Sequence, residues 1–381
     1  MKTQTRNKRG PAAIFSLCPA AHVLCLIFAS VIALHLYLRG NHALMQTISQ
    51  GYILPFAQLL ARLCAGLGTV SAAEVLIGIF VSVLLLYIAY ELLMLIRRPG
   101  KCARLYRMLV RLACTGLGIY AGFCILWGSY YYGDDFISAS GLSKSEISPE
   151  QLETVTVYFA DRLNHYSCLI ERDADGCYTV DRKCLLDQSD EVFSGLEAQF
   201  PCLRGCALKA KGIHFSRVMS YLDFTGFYFP FTGEANVNTD FPPALFASTI
   251  AHELSHQRSV AKEQEANFTA VLACLDYGDP DYCYSACMLA YIHLSNALRS
   301  ADYDAWLRIY RGLKLEIIND FERSRSYWAQ FETPVQTVSN TVYEGFLESY
   351  SQSLGLRSYG ACVDLLVNYY YDEALGYFGL N

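Results

Sequence analysis

Long stretches without charged side chains dominate the first third of the chain. Residues 12–38 and 112–133 contain no Asp, Glu, Lys or Arg, and residues 75–96 contain only Glu91 of these, near one end. About 20 consecutive apolar residues are enough to cross a bilayer as a helix. The pattern therefore predicts three transmembrane helices, at about 15–38, 75–96 and 112–133, in a membrane anchor that spans residues 1–133. A cleaved signal peptide is the alternative for the first stretch, although its length and Pro19 favour an anchor.

Residues 134–381 show the shorter periodicities of a folded domain. After a polar linker at 134–147, Ser148 and Gln151 form the capping-box pattern of a helix that runs to about His165, and a second helix is predicted near 189–200. The aromatic and β-branched stretch Gly226–Asn238 predicts a strand, a turn and a strand. Helical spacing returns in four later segments, near 281–299, 303–328, 335–353 and 358–371. We expect a mainly α protein in which the three membrane helices precede an α+β domain with a small sheet and a helical C-terminal part.

The basic residues of the anchor predict its orientation. Four precede the first apolar stretch and six lie between the second and third, at Arg97, Arg98, Lys101, Arg104, Arg107 and Arg111. By the positive-inside rule, the N-terminus and this second link face the cytoplasm, so everything after Gly133 lies outside it. Residues 1–131 hold 12 Lys+Arg against 2 Asp+Glu, which leaves 18 against 34 for the rest. An acidic outer domain of this kind is not expected to bind nucleic acid.

Nine of the 15 cysteines lie in the predicted outer domain. Disulfides are permitted outside the cytoplasm, so the cluster Cys168–Cys206 is expected to hold one or two of them. Because nine is an odd number, at least one thiol stays free or pairs with another chain.

The sequence His252-Glu253-Leu254-Ser255-His256 is an HExxH motif. On a helix the two histidines lie one turn apart on the same face, so both imidazoles can bind one zinc ion. Glu253 lies beside them and can take a proton from a water on the metal. The surrounding stretch has no helix breaker, and Thr239 or Asp240 is a candidate cap for its helix.

A catalytic zinc site usually has a third protein ligand and keeps one position for water. A second helix is predicted from about Ala261 to Asp276, and it offers Glu263 and Glu265. These are 200° apart on a helix, so only one of them can face the metal. We favour Glu263, because Asn267 one turn later could orient a ligand histidine. Glu265 remains the alternative.

The motifs resemble those of a bacterial membrane-protein family of unknown function, domain-of-unknown-function family 3810, with a zincin-like core behind three membrane spans. The resemblance covers nearly the whole chain. It rests on residues 127–131, 220–221, 226–238, 251–257, 263–268, 358–360 and 363–366. One departure is Ser259, where the family tends to have glycine.

The zinc-binding residues are also similar to those of gluzincin peptidases such as thermolysin. This likeness implies a Glu ligand on a second helix, although Asn267 stands where those enzymes have an acidic residue. Zincins often stabilise the oxyanion with a Tyr or His, so the resemblance makes Tyr359 a candidate catalytic residue, with a packed tyrosine as the alternative.

The sequence therefore predicts a multi-pass bacterial membrane protein with an extracytoplasmic, zinc-dependent metallopeptidase domain that acts on a peptide or protein. The predicted strand before the motif could hold a peptide by strand addition, with Glu234 either in the cleft or on the surface. The alternative function is a catalytically silent, zinc-binding scaffold or sensor, which a fourth ligand such as Glu265 or a cysteine would favour. The substrate and the oligomeric state are not encoded in any recognisable pattern.

Overall fold

The computed structural model describes residues 15–142, 145–350 and 359–380. Its first part contains the α-helices α1 (Pro19–Leu38), α2 (His42–Ile48), α3 (Leu54–Ala65), α4 (Ala72–Arg97) and α5 (Lys101–Leu126). A π-helical segment (Ser49–Ile53) joins α2 to α3, and a 3-10 helix (Gly128–Tyr132) follows α5. As predicted, three of them, α1, α4 and α5, are long and apolar enough to cross a membrane. Helix α5 begins and ends earlier than the predicted span at 112–133. A run without charged residues shows where the chain is apolar, but it does not show where a helix begins or ends. The basic residues from Lys101 to Arg111 are helical, whereas Trp127 leaves the helix with φ −135°.

Helices α1 and α5 run side by side in the same direction. His22, near the start of α1, hydrogen-bonds the hydroxyl of Tyr106 near the start of α5 (2.8 Å). His35, near the end of α1, packs on Gly128 just after α5. The start of α1 therefore lies at the same end as the α4–α5 turn, and the residues after α5 lie at the other end.

Further helices and a small sheet follow: α6 (Phe136–Ser140), α7 (Pro149–Tyr166), α8 (Arg182–Gln188), α9 (Leu196–Gln199), β1 (Lys211–Ile213), α10 (Ser216–Tyr221), β2 (Gly226–Phe229) and β3 (Glu234–Asn238). The predicted capping box of Ser148 and Gln151 is present at the start of α7. The helix predicted near 189–200 is wrong over most of its length, because Ser189 ends α8 by donating its hydroxyl to the carbonyl of Leu186 (2.7 Å). The predicted linker also contains a helix, α6.

The sheet confirms the predicted strand, turn and strand. Its order is β1-β3-β2, with β3 parallel to β1 and antiparallel to β2. In this three-stranded sheet β2 is an edge strand, and it precedes the HExxH helix.

The last part is helical: α11 (Phe246–Gln257), α12 (Glu263–Tyr277), α13 (Pro280–Ala301), α14 (Tyr303–Arg311), α15 (Leu315–Ala329), α16 (Pro334–Ser349) and α17 (Tyr359–Phe378). The segment predicted as one helix at 303–328 is divided near Gly312 into α14 and α15. A cap by Thr239 or Asp240 is wrong, because α11 follows a turn of 3-10 helix at Pro243–Leu245. The free amide of Ser248 in its first turn donates instead to the hydroxyl of Ser285 on α13 (2.9 Å).

Glu234 was predicted to lie either in the cleft or on the surface, and it lies in neither place. Its carboxylate is buried and accepts hydrogen bonds from the amides of Ala72 and Ala73, in the first turn of α4 (3.1 and 2.8 Å). The ammonium group of Lys211 lies 2.8 Å from the same carboxylate, and both side chains are almost completely buried. Glu234 therefore joins the sheet to the start of α4 and does not point into the cleft.

The expected disulfides are not formed. All fifteen cysteines lie in the described residues and all are free thiols. Within the cluster, Cys168 is exposed beside Lys314, whereas Cys206 is buried. The thiols of this cluster therefore have different surroundings and are not paired.

Candidate metal centre

Helix α11 has the polar residues of the HExxH motif on one face and apolar residues on the other. Ile250 and Leu254 are fully buried in the main hydrophobic core and hold the helix in place. His252, Glu253 and His256 are then directed into a cleft beneath β2. The helical spacing of the motif fixes the distance between the imidazoles, and the core fixes the direction in which they point.

The Nδ1 atom of each histidine has its own hydrogen-bond partner. His252 Nδ1 donates to Oδ1 of Asn267 (2.9 Å), and His256 Nδ1 donates to the carbonyl of Val260 (2.7 Å). The Asn267 contact is the one that the sequence predicted. With a proton on Nδ1, each neutral ring has its lone pair on Nε2. The two Nε2 atoms face each other at 3.1 Å, so two lone pairs meet where a cation can bind both.

Glu263 completes the cluster. The turn after α11 passes through Ser259 with φ +70°, a left-handed conformation that glycine adopts more readily than serine. This turn starts α12 at Glu263, whose Oε2 lies 3.2 Å from Nε2 of His252 and 3.7 Å from Nε2 of His256. The alternative, Glu265, is directed elsewhere and accepts a hydrogen bond from the amide of Phe136 (2.7 Å).

The spacing of these three groups matches a zinc site. One atom from each of His252, His256 and Glu263 can be chosen so that all lie within 4.8 Å of one another. Zn–N and Zn–O bonds of about 2.0–2.1 Å at tetrahedral angles place neighbouring ligand atoms about 3.3–3.5 Å apart. The observed distances of 3.1, 3.2 and 3.7 Å lie around that value. The residues therefore fit the metal, and the two-histidine, one-glutamate set is one that catalytic zinc uses.

Glu253 does not belong to this set of three. Its side chain is buried, and its Oε2 has no hydrogen-bond partner among the described residues. Burial raises the pKa of Glu253 to about 7, although the nearby imidazoles partly oppose the shift. A carboxylate that titrates near neutrality can both accept and return a proton. It is therefore suited to general acid–base chemistry.

Glycine at position 226 makes room for this carboxylate. A Cβ atom at Gly226 would lie 2.5 Å from Oε1 of Glu253 and 2.7 Å from its Cγ. These distances are far below a van der Waals contact. The edge strand β2 can approach the motif so closely only because its first residue has no side chain.

The cluster also has strong internal electrostatics. Burial opposes ionisation of Glu263, but the two imidazoles outweigh it and hold the pKa of that carboxyl well below its usual range. Burial likewise opposes protonation of His256, yet the Glu263 carboxylate raises its pKa to about 9. The Glu263 carboxylate therefore stays ionised and favours a cation beside the histidines, either a proton on His256 or a metal ion.

The cleft around the cluster has a volume of about 400 Å³. Its walls come from β2, from α16 and from the end of α5, including Phe123, Trp127 and Phe346. The ring of Trp127 meets that of His256 edge-on, with centroids 5.8 Å apart. An apolar wall of this kind leaves the charged groups concentrated at the base of the cleft.

Sequence reasoning missed Tyr343. Its hydroxyl donates to Oε1 of Glu263 (2.8 Å), the oxygen that is turned away from the histidines. Tyr343 lies 80 residues after Glu263, and no sequence motif predicts its contact with that residue. The helical spacing of 335–353 predicted its helix, but only the packing of α16 brings its hydroxyl to the cluster.

Tyr359, the candidate named by resemblance, is the first residue of α17. Its side chain lies outside the described residues. The expectation that it stabilises an oxyanion therefore stays a prediction.

The chain matches a known protein family. The sequence model of a family described as protein of unknown function (DUF3810) matches residues 49–367. This range includes α4, α5 and the whole candidate centre. No curated protein and no solved structure matches the chain.

Proposed function

The chain belongs to the DUF3810 family, whose function is unknown, and we propose that this member is a membrane-anchored, extracytoplasmic, zinc-dependent metallopeptidase with a zincin-like core. The observation that carries the proposal is the cluster of two Nε2 lone pairs and one carboxylate at zinc-ligand spacing. A buried carboxylate with an unsatisfied oxygen, Glu253, lies next to it in the same cleft. A purely structural metal site has no use for this fourth group.

The residues can be given separate roles. His252, His256 and Glu263 would hold zinc, with Asn267, Val260 and Tyr343 orienting them by hydrogen bonds. Bound zinc supplies Lewis acidity, which polarises a carbonyl and makes a water acidic near neutral pH. Glu253 would accept the proton of the attacking water and pass it to the leaving amine. Burial, which raises the pKa of Glu253 above its usual range, favours both transfers.

Strand β2 gives the cleft a means of holding a peptide. It is the edge of the three-stranded sheet and lines the cleft above Glu253 and His256. An extended peptide can pair with an edge strand through main-chain hydrogen bonds, which position its peptide bonds without demanding particular side chains. This supports a polypeptide substrate.

The orientation is part of the proposal. The α4–α5 turn and the start of α1 lie at one end of the membrane helices, and the basic residues of 97–111 are concentrated there. The positive-inside rule assigns this end to the cytoplasm. The cleft, which begins where α5 ends, then lies on the opposite side of the bilayer.

The test uses the full-length protein purified in detergent. We expect about one zinc ion per chain by elemental analysis, loss of zinc in His256→Ala, and retention in the control His165→Ala, which changes an exposed histidine outside the site. Glu253→Gln should keep zinc and lower the cleavage of a peptide library by about 10²–10⁴-fold. Equal cleavage by this variant would rule out the assigned base. Zinc without any cleavage by the parent protein would favour the silent scaffold or sensor instead.

A further inference from the structure

Two helices outside the membrane spans expose apolar side chains on one face. On α16, Val335, Val338 and Val342 are 55%, 63% and 67% exposed. Around α10, Phe215 and Val218 are 64% and 56% exposed. The spacings of three and four residues place each set on one side of its helix. We call these five residues the apolar stripe.

Helix α16 divides into three faces. Asn340, Tyr343 and Phe346 line the cleft. The valines of the apolar stripe form a second face. The third face is polar and exposed, with Thr337, Thr341, Glu344 and Glu348. An apolar face beside a polar, exposed face also occurs in helices that lie in the plane of a membrane surface, with one face in lipid and another in water.

The α10 end of the apolar stripe is continuous with the second membrane helix. The amide of Phe215 donates to Oε1 of Glu74 in the first turn of α4 (2.7 Å). A shallow groove next to Phe215 is lined by Val75, Gly78 and Ile79 of the same helix. Ile79 lies about 10 Å along the helix from Ala72 at 1.5 Å per residue. Phe215 therefore lies beside residues of α4 that belong to its apolar, membrane-crossing stretch.

The other end of α16 reaches the third membrane helix. The rings of Phe346 and Phe123 are 5.2 Å apart, and the hydroxyl of Tyr350 lies 3.4 Å from that of Tyr120 on α5. Between these ends, Ser339 donates to the carbonyl of Leu222 just after α10 (2.9 Å). The two helices thus form a bridge from α4 to α5 along one side of the cleft.

We propose that the apolar stripe lies in the lipid leaflet on the cleft side of the membrane, so that the cleft opens at the bilayer surface. Resting on the proposed function, the substrate class is then a membrane-anchored polypeptide, cut within the residues that emerge from the lipid. Lipid is the occupant because the apolar stripe continues the apolar surface of α4, and because Phe123 of α5 lines the cleft itself. Anchoring both enzyme and substrate in one bilayer raises the effective concentration of the scissile segment.

The lipid contact is tested with paired tryptophan variants of the full-length protein in phosphatidylcholine vesicles. Val342→Trp places the ring in the apolar stripe, and Thr341→Trp places it on the polar face one residue away. We expect brominated phosphatidylcholine to quench the added fluorescence of Val342→Trp and to leave that of Thr341→Trp nearly unchanged, each relative to the parent protein. Equal, weak quenching of both would overturn the lipid contact. Cross-linking of two chains through position 342 without quenching would overturn it in favour of a second copy.

The substrate class is tested with one cleavable peptide taken from the library digest, presented free or fused to a transmembrane helix in the same vesicles. The parent protein should cut the anchored form at least about tenfold faster at equal total concentration. Val338→Asp with Val342→Asp should lower this preference, because the cleft no longer rests in the leaflet although the membrane helices still hold enzyme and substrate in one bilayer, and should leave cleavage of the free peptide unchanged. Thr337→Asp with Thr341→Asp, the matched control, should keep it. Equal rates on both forms by the parent would overturn the substrate class. Failure to cut either form would contradict the peptidase proposal, and the quenching result would still decide the lipid contact.

Discussion

At the residue scale, the hydroxyl of Tyr343 fixes the orientation of a proposed ligand. It donates to the oxygen of Glu263 that faces away from the histidines, so the other oxygen is held toward them. Groups that orient metal ligands typically contribute about 10–100-fold to metal affinity. We predict that Tyr343→Phe lowers zinc affinity by about this factor, measured by competition with a chromophoric chelator. Tyr303→Phe, at an exposed tyrosine, should leave it unchanged.

The kinetics of the same variant separate two roles. A positioning role lowers zinc affinity, and activity should return at high zinc concentration. A kcat that stays low at saturating zinc, with affinity unchanged, would instead assign the hydroxyl to the reacting atoms. That result would contradict the role proposed here.

The absence of a side chain at Gly226 leaves the space that the carboxylate of Glu253 occupies. The Cβ atom of an alanine would overlap the carboxylate of Glu253, so either that group or β2 must move. A displacement of about 1 Å at a catalytic group can reduce the rate about 100-fold. We predict that Gly226→Ala retains zinc and loses activity on this scale, in parallel assays of zinc content and peptide cleavage. Gly345→Ala, where nothing lies within 4 Å of the added atom, is the control. Full activity of Gly226→Ala would contradict this prediction and would show that β2 can move away without displacing Glu253.

The sequence could predict only those residues of the candidate metal centre that lie close together in the chain. His252, Glu253, His256 and Glu263 fall within twelve positions, and helical geometry brings such neighbours together. Glu263 and Glu265 could be ranked because Asn267 is one turn from the first. Tyr343 comes from a distant helix, and no local periodicity encodes that contact.

At the scale of elements, the pair Lys211 and Glu234 joins β1 and β3 to the start of α4. The ammonium group also donates to the carbonyls of Cys64 and Val70, so one buried cation connects the sheet with the α3–α4 segment. Removing one partner of a buried ion pair leaves the other charge without compensation, which costs about 3–5 kcal/mol. We predict a loss of this size for Glu234→Gln in the free energy of unfolding of the full-length protein.

The matched control is Glu322→Gln, which removes a carboxylate from an exposed pair with Arg325. Exposed pairs contribute about 0–1 kcal/mol, so little change is expected. If both variants lost the same small amount, the sheet would not depend on the buried pair for its attachment to α4.

The helices were predicted correctly where local residues determine their ends. The predictions failed where the contacts are made with residues distant in the sequence. The capping box started α7 as expected, and Gly278, with φ +80°, ends α12 close to the predicted end. The role of Glu234 could not be foreseen, because its partners Ala72 and Ala73 are more than 160 positions away. The amide of Ser248 likewise finds Ser285 on another helix, which replaced the predicted local cap.

At the scale of the whole molecule, the charge asymmetry and the helix directions make the orientation testable with native cysteines. Cys102 is exposed in the first turn of α5, at the end with the basic residues. Cys184 is exposed on α8, in the domain that follows α5. The proposed orientation places these two thiols on opposite sides of the bilayer. They can be compared in variants that keep one of them and lack the other fourteen cysteines.

We predict that a membrane-impermeant maleimide added to intact spheroplasts labels Cys184 and leaves Cys102 unlabelled until the membrane is broken. The physical reason is that moving the basic residues near Cys102 across the membrane is unfavourable, whereas the acidic domain that bears Cys184 carries no such restriction. The reverse pattern would place the cleft in the cytoplasm and remove the extracytoplasmic part of the proposal. Labelling of both thiols in intact spheroplasts would mean that α4 and α5 do not cross the bilayer as separate spans, and the apolar stripe would then have no leaflet beside it.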